Sequence, residues 1–360
     1  MGLGLGLGIR AEIYSDIFHR VLCKWINEDR ELLYTHRMKH LVIVDGHHLM
    51  YRAYYAIPKT LKTKAGEQTN AVFGVASMIL TMLKAEEPDA LLFCFDAGEE
   101  TFRHQENATY KDGRAETPDD FYVQIPRILE MVEAFRFPHV SAAKYEADDF
   151  LCTYAKAAYD LGYRVTIVTG DRDALQLAND RVKIAIPHKG YQQAEYLGPQ
   201  EILAKYGVRP DQIASYKGLT GDSSDNLPGV LGIGPKGASA LLQKFDTLEG
   251  IYEHLDELKP AVREKLVRDR EQAFFCERMA TLVCDIPLEH SVEDLTVQEV
   301  PLEPILGLFH SLEFSLLAKR LQNFADTPYG RAHFQVDRSM EALVMADAGK
   351  KQEKDQLSLF

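Results

Sequence analysis

Leu41-Val42-Ile43-Val44-Asp45 is a run of four apolar residues closed by an aspartate, and the chain uses the device twice more. Leu91-Leu92-Phe93-Cys94-Phe95 ends at Asp96, and Val165-Thr166-Ile167-Val168 runs into Thr169-Gly170-Asp171. A strand with one wet face alternates apolar and polar residues. These runs are largely apolar at consecutive positions, as strands covered on both faces are. Helical periodicity is predicted around residues 70–86, 119–135 and 147–161, between and beside the strands. The expectation is an α/β domain: a mostly parallel, Rossmann-like sheet with helices on both faces. Ligands of such open sheets bind outside the carboxyl ends of the strands, which brings Asp45, Asp96 and Asp171 to one edge. One aspartate after a strand is ordinarily a turn or cap residue. Three of them at strand ends favour a site.

Further along the chain the pattern changes. After residue 199 the strand signal fades, and helical patterns occupy 200–206, 210–218, 236–244, 260–283 and 302–322. The expected organisation is a catalytic domain over 38–199, a helical domain over 200–323, and a flexible tail over 324–360 whose polar part, 324–355, lacks a strong period. Residues 1–37 read as an appendage, native or not, ahead of a functional chain that starts at Met38. The Gly-Leu alternation at its start follows no strand, so it is not a dinucleotide loop.

The composition is that of a soluble globular protein of 360 residues, enough for two domains with real cores. A net charge of -13 argues against a general polyanion binder, although a local basic strip can still meet phosphate. The five cysteines form no Cys-x-x-Cys pair. That predicts neither a zinc site nor a disulfide framework and fits a reducing cytoplasm. No apolar run reaches the length of a membrane span, so no membrane partner is expected.

More acids follow the strand-end set. Glu146-Ala147-Asp148-Asp149 opens a helix, with Glu146 and Asp149 on one face. Asp171-Arg172-Asp173 closes the third strand, and Gly221-Asp222-Ser223-Ser224-Asp225-Asn226 supplies another pair three apart. A helix N-terminus rich in acids or a solvated loop would look similar. Gathered in one place, however, so many carboxylates repel one another unless cations lie between them. Oxygen donors with few histidines select hard ions such as Mg²⁺ or Mn²⁺. Two such ions can activate water and stabilise a leaving oxygen in phosphodiester hydrolysis.

Asp45-Gly46, Tyr51-Arg52-Ala53, Thr69-Asn70-Ala71-Val72-Phe73-Gly74, Phe95-Asp96, Thr101-Phe102-Arg103-His104, Tyr110-Lys111, Tyr145-Glu146-Ala147-Asp148-Asp149, Thr169-Gly170-Asp171-Arg172-Asp173, Gly221 to Asn226 and Gly232-Ile233-Gly234 occur in that order. From about Met38 to about Leu321 this closely resembles the 5′ nuclease domain of bacterial DNA polymerase I and its stand-alone relatives, the flap-endonuclease superfamily. The resemblance implies a PIN-like catalytic domain, a helical domain, and an enzyme with 5′→3′ exonuclease and 5′-flap endonuclease activity on flaps, nicks and RNA primers. It implies one metal group of Asp45, Asp96, Glu146 and Asp148, with Asp149 acting through water, and a second of Asp171, Asp173, Asp222 and Asp225. The family usually carries Asn-Ser where this chain has His47-His48. No polymerase domain follows, so gap filling is expected from another protein.

The polar segment 98–118 interleaves Arg103, His104, Lys111 and Arg114 with Phe102 and Tyr110. By itself it reads as a solvated loop. In the resembled family it is an arch over the site, where Arg103, Tyr110, Lys111 and Arg114 would handle a single-stranded 5′ end and Arg103 and Lys111 would join the catalytic set. Arg52 is a candidate clamp on the scissile phosphate. Gly229 to Gly237 lacks the Gly-Lys-Ser/Thr ending of a nucleotide loop. It fits two helices joined by a glycine hairpin, with Gly232, Gly234, Lys236 and Gly237 against a DNA phosphate, Lys244 adding a contact, and, by the resemblance to a helix–three-turn–helix element, a K⁺ ion. The chain ends Gln356-Leu357-Ser358-Leu359-Phe360, which resembles the bacterial sliding-clamp-binding motif through Gln356, Leu357, Leu359 and Phe360. A flexible tail would span roughly 30 Å, enough to tether a monomeric nuclease beside a clamp. The competing readings are a non-catalytic branched-DNA-binding module and a small-molecule phosphohydrolase.

Overall fold

The computed structural model describes residues 37–98, 101–107, 109–112, 117–188 and 190–335. His40 onward forms one compact unit. Its first half comprises β1 (His40–Asp45), α1 (Gly46–Ala56), α2 (Asn70–Glu86), β2 (Ala90–Cys94), α3 (Phe102–Glu106), α4 (Asp119–Tyr122), α5 (Ile125–Ala134), β3 (His139–Val140), α6 (Ala147–Asp160), β4 (Arg164–Val168), β5 (Val182–His188) and β6 (Gly190–Leu197). The strands form one sheet in the order β3-β2-β1-β4-β5-β6. All pairings are parallel except the β5–β6 hairpin.

β1 is buried along its whole length, and its successive residues feed opposite cores. Val42 and Val44 pack with α1, α2 and α5, whereas Leu41 and Ile43 pack with α6. This period-two division is why the run had to be apolar at every position. The register pairs Asp45 with Cys94 and Val44 with Val168. Asp45, Asp96 and Asp171 therefore leave the sheet at the same edge, on β1 and its two neighbours, where the strand order switches direction.

The second half adds α7 (Pro199–Tyr206), α8 (Ile213–Thr220), α9 (Pro235–Phe245), α10 (Leu248–Glu253), α11 (Pro260–Arg268), α12 (Arg270–Ala280), the two-residue strand β7 (Val300–Pro301), α13 (Leu302–Ser311), α14 (Ser315–Ala325), α15 (Pro328–His333) and β8 (Phe334–Gln335). Residues of α8, α9, α10 and α12 share the Leu41/Ile43 core, so the helical half is welded to one face of the sheet.

Several expectations change. The hairpin β5–β6 was not predicted, because β6 is an edge strand whose Gln192, Gln193 and Tyr196 are exposed. The predicted helix over 302–322 breaks at Glu313, which has a left-handed φ of 62°. The flexible tail does not begin at 324. Phe324, Tyr329 and Phe334 are buried in the Val42/Val44 core, and β8 pairs with β7, so the ordered chain reaches Gln335. Arg114, the tail beyond Gln335 and its terminal motif, and the appendage up to residue 36 lie outside the described residues. A disulfide joins Cys152 on α6 to Cys284, contrary to the expectation of unpaired thiols. Spacing along the sequence could not show that the two α-carbons lie 4.9 Å apart. No helix among the described residues is long and apolar enough to cross a membrane.

Candidate active site

The three strand-end aspartates meet the start of α6 in a basin of about 510 Å³. Asp45, Asp96, Glu146, Asp148, Asp171 and Asp222 line it, with His47, His48, Tyr51, Lys111, Arg172, Lys217, Ser223 and Ser224. Asp45 doubles as the N-cap of α1: its carboxylate accepts from the backbone N–H of His48 at 2.9 Å and from the Thr169 hydroxyl at 2.7 Å. Burial, reinforced by Asp96 and Asp171, outweighs those hydrogen bonds and raises its pKa to about 7. Asp96 is more exposed and accepts from the backbone N–H of Ala147 at 2.8 Å, which ties β2 to the first turn of α6. The buried Oδ1 of Asp148 has no hydrogen-bond partner. Burial, then Asp171 and Asp45, push that carboxyl well above the usual range.

The outer acids are organised differently. Asp173, on the short turn after β4, is also pushed up to about 7 by burial, even though Lys217 opposes the shift. The Lys217 ammonium contacts Asp173 and stands 2.6 Å from Asp222 Oδ2. Burial would raise Asp222, but Lys217 and Ser224 hold it down at about 2. Asp225 is buried and does not line the basin; its carbonyl accepts from the backbone N–H of Lys111 at 3.3 Å.

Two residues assigned to the arch sit elsewhere. Arg103 is 1% exposed. Its guanidinium forks onto Asp149 at 2.9 and 3.0 Å, reaches Glu146 at 3.3 Å, and donates to the carbonyls of Met279 and Thr281 at 3.2 Å each. It is an internal latch between α3, α6 and the end of α12, and no surface remains for DNA. Asp149, fully buried on that latch, is correspondingly removed from the metal set. Tyr110 is buried with Leu227, Cys276 and Met279, and its hydroxyl donates to Glu146 at 3.3 Å, so it offers no platform for base stacking. In sequence, a cation and an aromatic in a polar loop read the same whether they face solvent or buried acids. Lys111 does reach the basin, 2.9 Å from Glu146 Oε1. Arg52 donates to the carbonyl of His188 and lines the neighbouring cavity with Tyr55 and Ile57, away from the acids.

His47 and His48 both line the basin. His47 Nδ1 accepts from the backbone N–H of Asp96 at 3.1 Å. The His48 ring packs over Gly170, where a Cβ would fall 2.0 Å from it, so any side chain at 170 would have to displace that ring. Sequence reasoning missed Lys217 and Thr169. The available signal for Lys217 was a lone cation on the buried stretch of α8 beside Leu219.

The glycine hairpin joins α8 to α9. Leu231, Gly232, Gly234, Lys236 and Gly237 are exposed, and Gly234 caps α9. Lys265 donates to the Gly232 carbonyl at 2.9 Å and Arg268 to the Leu231 carbonyl at 3.0 Å, so α11 braces the loop from behind. Lys244 pairs with Glu257 at 2.8 Å.

Two consecutive family profiles match the chain: the 5′-3′ exonuclease N-terminal resolvase-like domain over residues 40–207, and the 5′-3′ exonuclease C-terminal SAM fold over 208–303. The chain belongs to the 5′-3′ exonuclease family, whose members include flap endonucleases. Among curated relatives, DNA polymerase I of Bacillus subtilis is 42% identical over 284 residues, covering 79% of this chain and 32% of its own length. The thermostable DNA polymerase I of Thermus aquaticus is 42% identical over 277 residues, covering 77% and 32%. The chain thus spans about a third of the length of these relatives. The fold is that of the bacteriophage T5 flap endonuclease, solved as a pseudo-enzyme–product complex with DNA and metal ions. That structure has a TM-score of 0.57 and 20% identity, and the match covers 80% of this chain and 100% of that one. The T5 5′-exonuclease with bound zinc ions matches equally, at a TM-score of 0.57, 20% identity, and coverage of 80% and 99%.

Proposed function

We propose that this protein is a Mg²⁺- or Mn²⁺-dependent 5′ nuclease that cuts 5′ flaps and trims 5′ ends at nicks and RNA primers during replication and repair. One observation carries the metal dependence: Asp148 presents a buried, unpartnered carboxylate oxygen among acids whose burial already disfavours their charge. Among the described residues no three carboxylate, imidazole or thiol groups lie close enough together to hold a metal ion, so an incoming ion would have to draw these acids inward. The donors are almost all oxygen, which fits hard divalent ions. Asp45, Asp96, Glu146 and Asp148 would hold the inner ion, and Asp171, Asp173 and Asp222 the outer one, with Asp225 outside the basin lining. Bound there, the ions would lower the pKa of water and offset charge on phosphate oxygens.

The chain's own residues supply the rest. Lys111 at the rim offers an ammonium to a phosphate oxygen. The exposed backbone of Gly232 to Gly237, with Lys236, can grip a duplex phosphate without reading sequence, and a K⁺ ion there would serve the same contact. We assign the catalytic half to residues 38–199, with the helices from 200 onward added to it. The terminal Gln356-Leu357-Ser358-Leu359-Phe360 would recruit a sliding clamp, with the nuclease acting as a monomer in the cytoplasm.

A 5′-flap duplex titrated with Mg²⁺ tests the reading: cleavage near the junction should depend on metal and vanish in the Asp171→Ala/Asp173→Ala double variant. Intact cleavage by that variant would sink the site assignment. Flap binding without turnover in Mg²⁺ or Mn²⁺ would favour a binding module instead. Clamp capture should disappear, and clamp-free cleavage persist, when residues 356–360 are removed.

A further inference from the structure

Lys217 enters the basin from α8, five residues before Asp222, with a side chain only 9% exposed. Its ammonium contacts Asp173 and lies 2.6 Å from Asp222 Oδ2. Both acids belong to the group expected to take the outer ion. Two buried carboxylates repel each other unless a cation sits between them, and here the cation is part of the chain. Asp222 has little left to offer a metal. Its Oδ1 already accepts the backbone N–H of Ser224 at 2.8 Å and the Ser224 hydroxyl at 2.5 Å, and Oδ2 is the oxygen held by Lys217. On the inner side Asp148 keeps a buried oxygen with no hydrogen-bond partner, whereas the corresponding buried oxygen of the outer side, Asp173 Oδ1, is the one that Lys217 contacts.

We infer that Lys217 is the resident counter-cation of the outer acid group and holds the second divalent ion out of the free protein. The inference rests on the metal-binding part of the proposed function. A divalent ion and an ammonium at bonding distance repel, and they compete for the same carboxylate oxygens. The inner group therefore loads first, and the outer group loads only when Lys217 leaves. Lys217 is on this account a positioning residue, acting through Asp173 and Asp222.

The test counts Mn²⁺ bound to the full chain without DNA, reading free Mn²⁺ by electron paramagnetic resonance. The wild type should bind one ion, Lys217→Met two, and Lys217→Arg one. Thermal unfolding should show a larger Mn²⁺-induced rise in Tm for Lys217→Met than for the wild type. Two ions on the wild type or on Lys217→Arg would overturn the inference even if Lys217→Met fails to fold. One ion on a folded Lys217→Met, or equal Mn²⁺-induced Tm shifts, would overturn it too. A wild-type count of zero would instead remove the metal-site reading beneath it. Counts of one and two together with no flap cleavage by the wild type would refute the nuclease reading and leave this inference standing.

Discussion

Replacing Arg103 with methionine separates a DNA-contacting arginine from an internal one. The structure gives Arg103 five hydrogen bonds, three to Asp149 and Glu146 and two to the carbonyls of Met279 and Thr281. Asp149 is fully buried and also accepts from the backbone N–H of Glu146 at 3.1 Å and of Val283 at 3.1 Å. Methionine fills most of the volume but strands two buried carboxylates. Breaking a buried pair by removing one partner costs about 3–5 kcal/mol. For a unit of this size that lowers Tm by roughly 10 °C. Urea unfolding and calorimetry measure the loss, and flap-DNA binding is measured below the new midpoint. The double variant Arg103→Met/Asp149→Leu should recover part of the loss, with a coupling energy of at least about 2 kcal/mol, because much of the cost is the orphaned charge. The reasoning is refuted if Arg103→Met unfolds within about 1 kcal/mol of the wild type yet loses DNA affinity; Arg103 would then be a surface contact.

Three more outcomes are expected. His40 is fully buried against the Glu86 carbonyl and the Thr166 hydroxyl, and burial followed by Arg164 lowers its pKa to about 4. Since the folded state disfavours its protonation, its contribution is complete above the unfolded value near 6.5 and declines as pH falls toward 4, by about 3 kcal/mol at most. Denaturant titrations from pH 7 to 4 should show a shallower loss in His40→Gln, and an unchanged slope would exclude His40 as the cause. Asp148→Asn should raise the Tm of metal-free protein, by removing a buried charge, while abolishing cleavage; a lowered Tm would contradict the account of the basin. Ending the chain after Asn323 deletes the buried Phe324, Tyr329 and Phe334 and should cost at least about 5 kcal/mol by denaturant unfolding, at about 1.5–3 kcal/mol per buried side chain.

Much of the fold was legible because its signals are local. An apolar run feeding two cores has no wet face, and β1 shows that pattern residue by residue. The inner acids were legible for the same reason, since each follows a strand end or opens a helix. The β5–β6 hairpin was not, because a half-exposed edge strand lacks the apolar signature. The C-terminal return was hidden too: Phe324, Tyr329 and Phe334 are spread through polar sequence and gain meaning only against the distant face of Val42 and Val44. The Cys152–Cys284 bond spans 132 residues, and nothing local announces it.

What the sequence by itself determined is the sheet edge and the family of carboxylates that meet there. Strand alternation and the parallel register leave Asp45, Asp96 and Asp171 no other place to go. Only the tertiary structure decided what each charge does. Asp149 and Arg103 cancel each other in the interior, Lys217 is carried in from another helix to neutralise Asp173 and Asp222, and Asp148 is left with a buried oxygen that has no hydrogen-bond partner. The physical reason is that a residue's type fixes its charge, whereas its pKa and its partner depend on burial and on neighbours brought close from far along the chain.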